Sequence, residues 1–202
     1  MSRIRIKSLL SNFKKWAAVR HEHIDFIMSD DPGVWYVRLR NFDGCNYEFK
    51  NGEYLVKVVA KKEYPHAPPE FYFMTPNGVY GINTKVCISI GEYHKSDYPS
   101  TLGMGGFISN LVSGMIGWES LGHGISIIRT DNNVKKKLAA GSVTYNYNNH
   151  KTLVKQFNNL THGKLWTLTE KLNIRSGCLL HIRKLLCLAP MPEVAKSKDK
   201  SK

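Results

Sequence analysis

The hydrophobic period of this chain changes twice, and that change limits the folds open to it. Between Val34 and Met74 apolar and polar residues alternate; before and after, apolar residues recur every three or four positions. In "VWYVRLR" (34–40), Trp35, Val37 and Leu39 alternate with Tyr36, Arg38 and Arg40, the period of a half-buried strand. "EYLVKVVAK" (53–61) and "EFYFM" (70–74) are further strand-like runs. Asp43-Gly44 and Asn51-Gly52 punctuate the early runs, which suits an antiparallel meander. "YPHAPPEF" (64–71) holds three prolines, which cannot sit inside a central strand, so it reads as a rigid surface loop.

The flanks are helical. Ile6, Leu9, Leu10, Phe13, Trp16 and Ala17 share helical spacing over residues 3–20, and Asp30-Asp31-Pro32-Gly33 forms a turn after them. Further on, Phe107, Leu111 and Met115 recur with Ile108, Val112 and Ile116 beside them, after a start weakened by Gly103, Gly105 and Gly106. A second helix is predicted over about 132–147, with Asp131 or Asn132 as N-cap and Val134, Leu138 and Tyr145 on one face. A third, over 150–173, offers Leu153, Phe157, Leu160, Leu168 and Leu172. The expected class is α+β: an N-terminal helix, a four-stranded antiparallel meander, an active-site loop, then C-terminal helices. The expected division is a core domain at 1–149, a helical extension at 150–190 and a basic disordered tail at 191–202.

Charge and cysteine usage narrow the function. The chain has 29 basic and 16 acidic residues, a net charge of +13, which implies an acidic partner. Arg3, Arg5, Lys7, Lys14, Lys15 and Arg20 put a basic face on the first helix, with no acid in that segment. The remaining basic residues are scattered over strands and tail without a recognition motif, so nucleic-acid binding ranks last among the readings. Cys45, Cys87, Cys178 and Cys187 form no CxxC pair, so neither a metal centre nor a disulfide framework is expected. A reducing compartment, the cytoplasm or nucleus, follows. No stretch approaches the roughly 18–20 apolar residues of a membrane span. The nearest, "GCLLHIRKLLCLAP" (177–190), is broken by His181, Arg183 and Lys184 and reads as an amphipathic helix.

Cys87 stands apart from the other cysteines. A cysteine between Val86 and Ile88 is ordinarily a small buried hydrophobe, and Cys45, Cys178 and Cys187 are read that way. Yet Cys87 lies within a long stretch punctuated by Asn77-Gly78, Gly81, Asn83, Gly91 and Pro99, and long ordered loops in compact domains are usually functional. The polar groups around it suit acyl transfer. A thiolate carries an acyl group as a thioester, an asparagine amide stabilises the oxyanion, and His94 takes the proton of an incoming nucleophile. For Asn77 the alternative is a structural turn asparagine, and for His94 a surface histidine that ties down the loop. A cysteine protease would need a Cys–His couple in a nucleophile turn, which nothing here resembles.

The proline loop, then "TPNG", then "CISI" and "YH", resembles ubiquitin-conjugating enzymes. It is most similar to the branch that is tail-anchored in the endoplasmic reticulum membrane, which has TPN at this longer spacing from the cysteine where most of the family has HPN. "YPHAPPEFYF" matches the family's YPxxPPxxxF loop, and "TDNNVKKKLAAGSVTYN" (130–146) resembles a helix of the same branch. The resemblance implies that Cys87 receives ubiquitin from an activating enzyme and passes it to a lysine amine or a Ser/Thr hydroxyl of a protein substrate. It implies that Asn77 supports the oxyanion or the loop that holds the site, and that His94 acts as base for hydroxyl acceptors. Arg5 and Lys7 would meet the activating enzyme; Pro65, His66 and Pro68 would meet a RING-type ligase. No cofactor is implied, because ATP is consumed by the activating enzyme. Two departures bear on this. The family's W-x-P-A segment is replaced by "DYPSTLGMGG", with Tyr98 in place of one tryptophan, and the branch's membrane anchor is missing, as would suit a virus or parasite protein acting in host cytoplasm. A non-catalytic ubiquitin-binding scaffold is the alternative reading, against which the presence of Cys87 counts.

Overall fold

The computed structural model describes residues 3–19, 21–42, 47–86, 100–120 and 127–160. Its elements are α1 (Arg3–Ala17), β1 (Ile24–Met28), β2 (Val34–Leu39), β3 (Tyr54–Val59), β4 (Glu70–Phe73), β5 (Lys85–Val86), α2 (Gly103–Ile116), α3 (Asn132–Asn149) and α4 (Lys151–Asn158), with short 3-10 turns at Tyr47–Phe49, Ser100–Leu102 and Trp118–Ser120. The strands form one antiparallel sheet in chain order, β1-β2-β3-β4-β5. The expected meander is therefore present, with five strands rather than four. β1 carries Asp25 as its second residue and follows the polar run His21-Glu22-His23, and β5 is only two residues long. Neither gives the sustained alternation that marks a strand in sequence.

The register aligns Phe26 with Val37, Val37 with Val56 and Val56 with Phe73, so one face of the sheet is a continuous apolar surface. Trp35, Val37, Leu39, Val56, Phe71 and Phe73 are buried there against Leu9 of α1 and Met104, Ile108, Leu111 and Met115 of α2. Each such side chain contributes about 1.5–3 kcal/mol. Phe13 fixes α1 on this face, with ring centroids 5.2 Å from both Phe26 and Trp35 in edge-on contact. The glycines that looked like a weakness at the start of α2 have a steric purpose. A Cβ at Gly105 would overlap the indole of Trp16, so α1 and α2 can approach only because that position is bare.

The other face is covered at one end by α4. Leu153, Val154 and Phe157 are buried against Ile27 and Leu55, so the first residues after position 149 pack on the sheet. Arg38 lies beneath them and is only 6% exposed, although alternation places it on the polar side of its strand. Its Nε and Nη2 donate to Asp25 Oδ2 at 2.9 and 2.8 Å, Nη1 donates to Asn158 Oδ1 at 2.8 Å, and the guanidinium stacks 5.1 Å from the Phe157 ring centre. Arg40 donates to the same carboxylate at 2.7 Å. Burial pushes the Asp25 carboxyl up, but the hydrogen bonds and charges of Arg40 and Arg38 outweigh it and hold the carboxyl below its ordinary value.

α3 begins as the sequence predicts: Asp131 is the N-cap, its Oδ1 accepting from the Val134 N–H at 2.9 Å. The buried face is not the expected one. Lys135, Ala139, Ser142 and Asn146 point inward, whereas Val134 is 38% exposed. The face is rotated by one residue, about 100°. The cause is polar: Ser142 Oγ accepts from the Glu53 N–H at 2.9 Å and Asn146 Nδ2 donates to the Glu53 carbonyl at 2.9 Å. α3 thus completes backbone hydrogen bonds where β3 begins. Residues 161–173, the remainder of the predicted third helix, lie outside the described residues, as does the segment 177–190. Among the described residues no helix is long and apolar enough to cross a membrane.

At the far end of the uncovered face, Glu70 is buried between three donors. Lys61 Nζ and Lys85 Nζ each lie 2.6 Å from Oε1, and Tyr72 donates to Oε2 at 2.9 Å. Burial raises the carboxyl's pKa, but the hydrogen bonds from Lys61, Lys85 and Tyr72 and the Lys85 charge hold it down to about 2. The pairing therefore stabilises the folded state fully above the ordinary value of 4.5, and that contribution is lost as pH falls from there toward 2. Acid unfolding followed by circular dichroism is expected to show Glu70→Gln with a shallower loss of stability across this window than the unsubstituted chain.

Two glycine substitutions are expected to act with opposite signs in thermal melts. Gly105→Val forces α1 from α2 and costs about 1–3 kcal/mol. Gly141→Ala, mid-α3 with nothing within 4 Å of the added Cβ, stabilises by about 0.5–1 kcal/mol.

Candidate active site

The site is built on the turn that follows β4. Asn77 is fully buried, and its amide is used completely within its own turn. Oδ1 accepts from the N–H groups of Val79 (2.8 Å) and Tyr80 (2.7 Å); Nδ2 donates to the carbonyls of Thr75 and Tyr80, both at 3.2 Å. Both protons and both lone pairs are engaged, the full capacity of an asparagine. The amide is thus committed to holding the loop, with no proton left over for an oxyanion in this conformation.

Gly78 is required next to it. Its φ is +80°, and a Cβ would stand 2.7 Å from Thr130 Oγ1 and 2.9 Å from Lys135 Cγ. The strand-like segment before α3 closes over the turn: Thr130 Oγ1 donates to the Gly78 carbonyl and the Ile128 N–H to the Val79 carbonyl, each at 2.8 Å. Tyr80 stacks on Phe73 with ring centroids 4.8 Å apart, and Asn83 N–H donates to the Phe73 carbonyl at 2.7 Å. From there β5 runs along β4, pairing Lys85 with Tyr72 and Val86 with Phe71. The chain is thereby delivered along the sheet edge to the residue after Val86, which is Cys87.

Cys87 and His94 lie outside the described residues, as do Cys45, Cys178 and Cys187. The other residues singled out in the sequence fall in two places. In the proline loop His66 is exposed, Pro65 and Pro68 are half-buried, and the His66 N–H donates to the Glu63 carbonyl at 2.7 Å. Lys7 is exposed on α1. Arg5, two residues earlier and about 200° round the helix, is 8% exposed; its Nε donates to the Lys61 carbonyl at 2.8 Å and its Nη2 to the Ala60 carbonyl. Arg5 therefore clasps α1 to the end of β3, and exposed Arg3, Lys7, Lys14 and Lys15 carry the charge that α1 presents outward. Among the described residues no cluster of His, Cys, Asp and Glu side chains could hold a metal ion.

Sequence reasoning missed the residues behind the turn. Thr75 is fully buried; its Oγ1 accepts from the Leu55 N–H at 2.8 Å and donates to Asn146 Oδ1 at 2.5 Å. Lys135, also fully buried, packs its stem on Gly78. The available signal was the spacing of Lys135, Ala139, Ser142 and Asn146 on one helical face, which an apolar pattern search passes over.

The element order, a helix, an antiparallel meander and then helices, is that of the ubiquitin-conjugating fold. Over 112 residues the chain is 34% identical to ubiquitin-conjugating enzyme E2 6 of Debaryomyces hansenii, covering 55% of this chain and 45% of that protein. It is 31% identical over 112 residues to ubiquitin-conjugating enzyme E2 J2 of Mus musculus, covering 55% and 41%. Among solved structures, human ubiquitin-conjugating enzyme E2 G1 aligns with a TM-score of 0.46 at 20% identity, over 57% of this chain and 95% of that one. No family model matches the chain. The chain spans less than half the length of these curated relatives. Over the part it shares with them, it is homologous to ubiquitin-conjugating enzymes generally.

Proposed function

We propose that this chain is a ubiquitin-conjugating enzyme in which Cys87 carries ubiquitin as a thioester. The observation that carries the reading is the locked Asn77–Gly78 turn, from which β5 leads to the residue before Cys87. The Cys87 thiolate attacks the ubiquitin thioester of the activating enzyme, whose own thiol leaves, and the acyl group changes carrier without a redox step. A substrate amine or hydroxyl then attacks the new thioester; its proton passes to a base and Cys87 leaves as the thiolate. His94 serves as that base for hydroxyls, which are weak nucleophiles until deprotonated. Asn77 acts by holding the turn, since its amide is spent there.

The TPN spelling and its spacing to Cys87 support assignment to the branch that is tail-anchored in the endoplasmic reticulum membrane. The acid-free α1, with Lys7 outward and Arg5 fixing its pose, is the docking face for the activating enzyme. The proline loop, with His66 exposed between Pro65 and Pro68, receives a RING-type ligase, and the acceptor is a protein lysine, serine or threonine. The reaction belongs to the cytoplasm, where activating enzyme and ATP are supplied.

Incubation with activating enzyme, ATP and ubiquitin is expected to give an adduct that thiol reductant removes. Cys87→Ala abolishes it, and Cys87→Ser leaves a reductant-resistant oxyester. Ubiquitin binding without an adduct would replace this reading by that of a non-catalytic scaffold.

Discharge of the loaded enzyme reports on His94. His94→Ala is expected to slow transfer to free serine or threonine by about 10²-fold, the usual contribution of a general base, while transfer to lysine slows much less. Equal slowing of both would assign His94 to loop structure.

A further inference from the structure

Lys135 is fully buried in α3, on the side that faces the Asn77–Gly78 turn. Its Nζ donates to the Thr130 carbonyl and sits 3.5 Å from the centre of the Trp118 ring. The Trp118 indole N–H in turn donates to Glu48 Oε1 at 2.5 Å, which brings a carboxylate into the same cluster. Burial lowers the pKa of the amine below the ordinary lysine value, against the opposing charges of Glu48, Asp131 and Glu119. A buried cation of this kind is costly, and an apolar side chain of the same length would fill the space at least as well. Packing therefore does not explain a lysine here.

The hydrogen bonds show what the ammonium reaches. It holds the carbonyl of Thr130; the hydroxyl of Thr130 donates to the Gly78 carbonyl at 2.8 Å. Two residues earlier, the Ile128 N–H donates to the Val79 carbonyl. Lys135 also touches the turn directly, its Cγ lying where a side chain on residue 78 would go. One side chain thus grips both the turn and the segment that closes over it. We propose that Lys135 is a positioning residue, which through Thr130 fixes the Asn77–Gly78 turn in the geometry from which Cys87 reacts. The proposal rests on the reading of Cys87 as acyl carrier for its functional half, and on the described geometry alone for its structural half.

The test uses Lys135→Met, which keeps the stem and removes the ammonium, in the full chain. Its thermal midpoint is expected to equal or exceed that of the unsubstituted protein. Amide exchange at Val79 and Tyr80, whose N–H groups are held by Asn77, is expected to quicken about tenfold, while Val56 and Val58 in the central strand stay as they were. Discharge of the Cys87 thioester to free lysine is expected to fall about tenfold, since small displacements of a reacting group are costly. Thr130→Val, which cuts the hydroxyl link to Gly78 without changing shape, should reproduce both effects. Unchanged exchange at Val79 and Tyr80 in Lys135→Met overturns the proposal, and so does faster exchange with undiminished discharge. An unsubstituted protein that forms no adduct removes the Cys87 reading, and with it the functional half; the exchange comparison still decides whether Lys135 holds the turn.

Discussion

The Thr75 hydroxyl is the point on which the site and the scaffold meet. It accepts from the N–H of Leu55 in β3 and donates to the amide of Asn146 in α3, with no exposure to solvent. Asn146 in turn holds the Glu53 carbonyl. A buried chain of this sort is favourable only when every member is satisfied, because each orphaned donor or acceptor costs about 1–3 kcal/mol. The start of β3, the turn after β4 and the inner face of α3 are therefore set together. The Asn77 turn inherits its placement from this seam: its first residue, Thr75, is part of the sheet's hydrogen bonding, and its last, Tyr80, is stacked on Phe73 of β4.

This arrangement explains why the inner face of α3 is polar. A helix that packed on an apolar sheet face would bury a leucine stripe, as α2 does with Ile108, Leu111 and Met115. α3 instead lies where strand ends leave backbone groups unpaired, and Ser142 and Asn146 supply what a neighbouring strand would have supplied. Specificity of placement, rather than hydrophobic area, is what this helix adds to the fold.

Much of this was legible in the sequence, and what was not has physical causes. The alternation of Trp35, Val37 and Leu39 located β2 and its buried face, Asp131 marked the start of α3, and the TPNG spelling located the turn. Local chemistry suffices for each of these. The rotated face of α3 was not legible, because apolar periodicity identifies a buried face only when that face is apolar. Arg38 shows the other failure. Alternation put it on the correct side of the sheet, but its burial is decided by Asn158 and Phe157, 120 and 119 residues away in the chain. Arg5 repeats the lesson at the site: a basic residue on a basic helix looked available to a partner and instead closes on the carbonyls of Ala60 and Lys61. Cys87 and His94 were singled out by motif and spacing, and their roles rest there.

The seat of α4 also sets the handle by which the molecule is held. Asn158 and Phe157 are tied to Arg38, whose partner Asp25 lies in β1, the first strand of the sheet, and Leu160 packs in the same cluster. β5, which leads to Cys87, is the last strand. Four strand spacings separate these edges, about 19 Å. Leu160 therefore sits over the β1–β3 part of the sheet, away from the β5 edge. A molecule restrained at Leu160 would pivot there and sweep the β5 edge through the surrounding space, so that tether length would set how far that edge reaches.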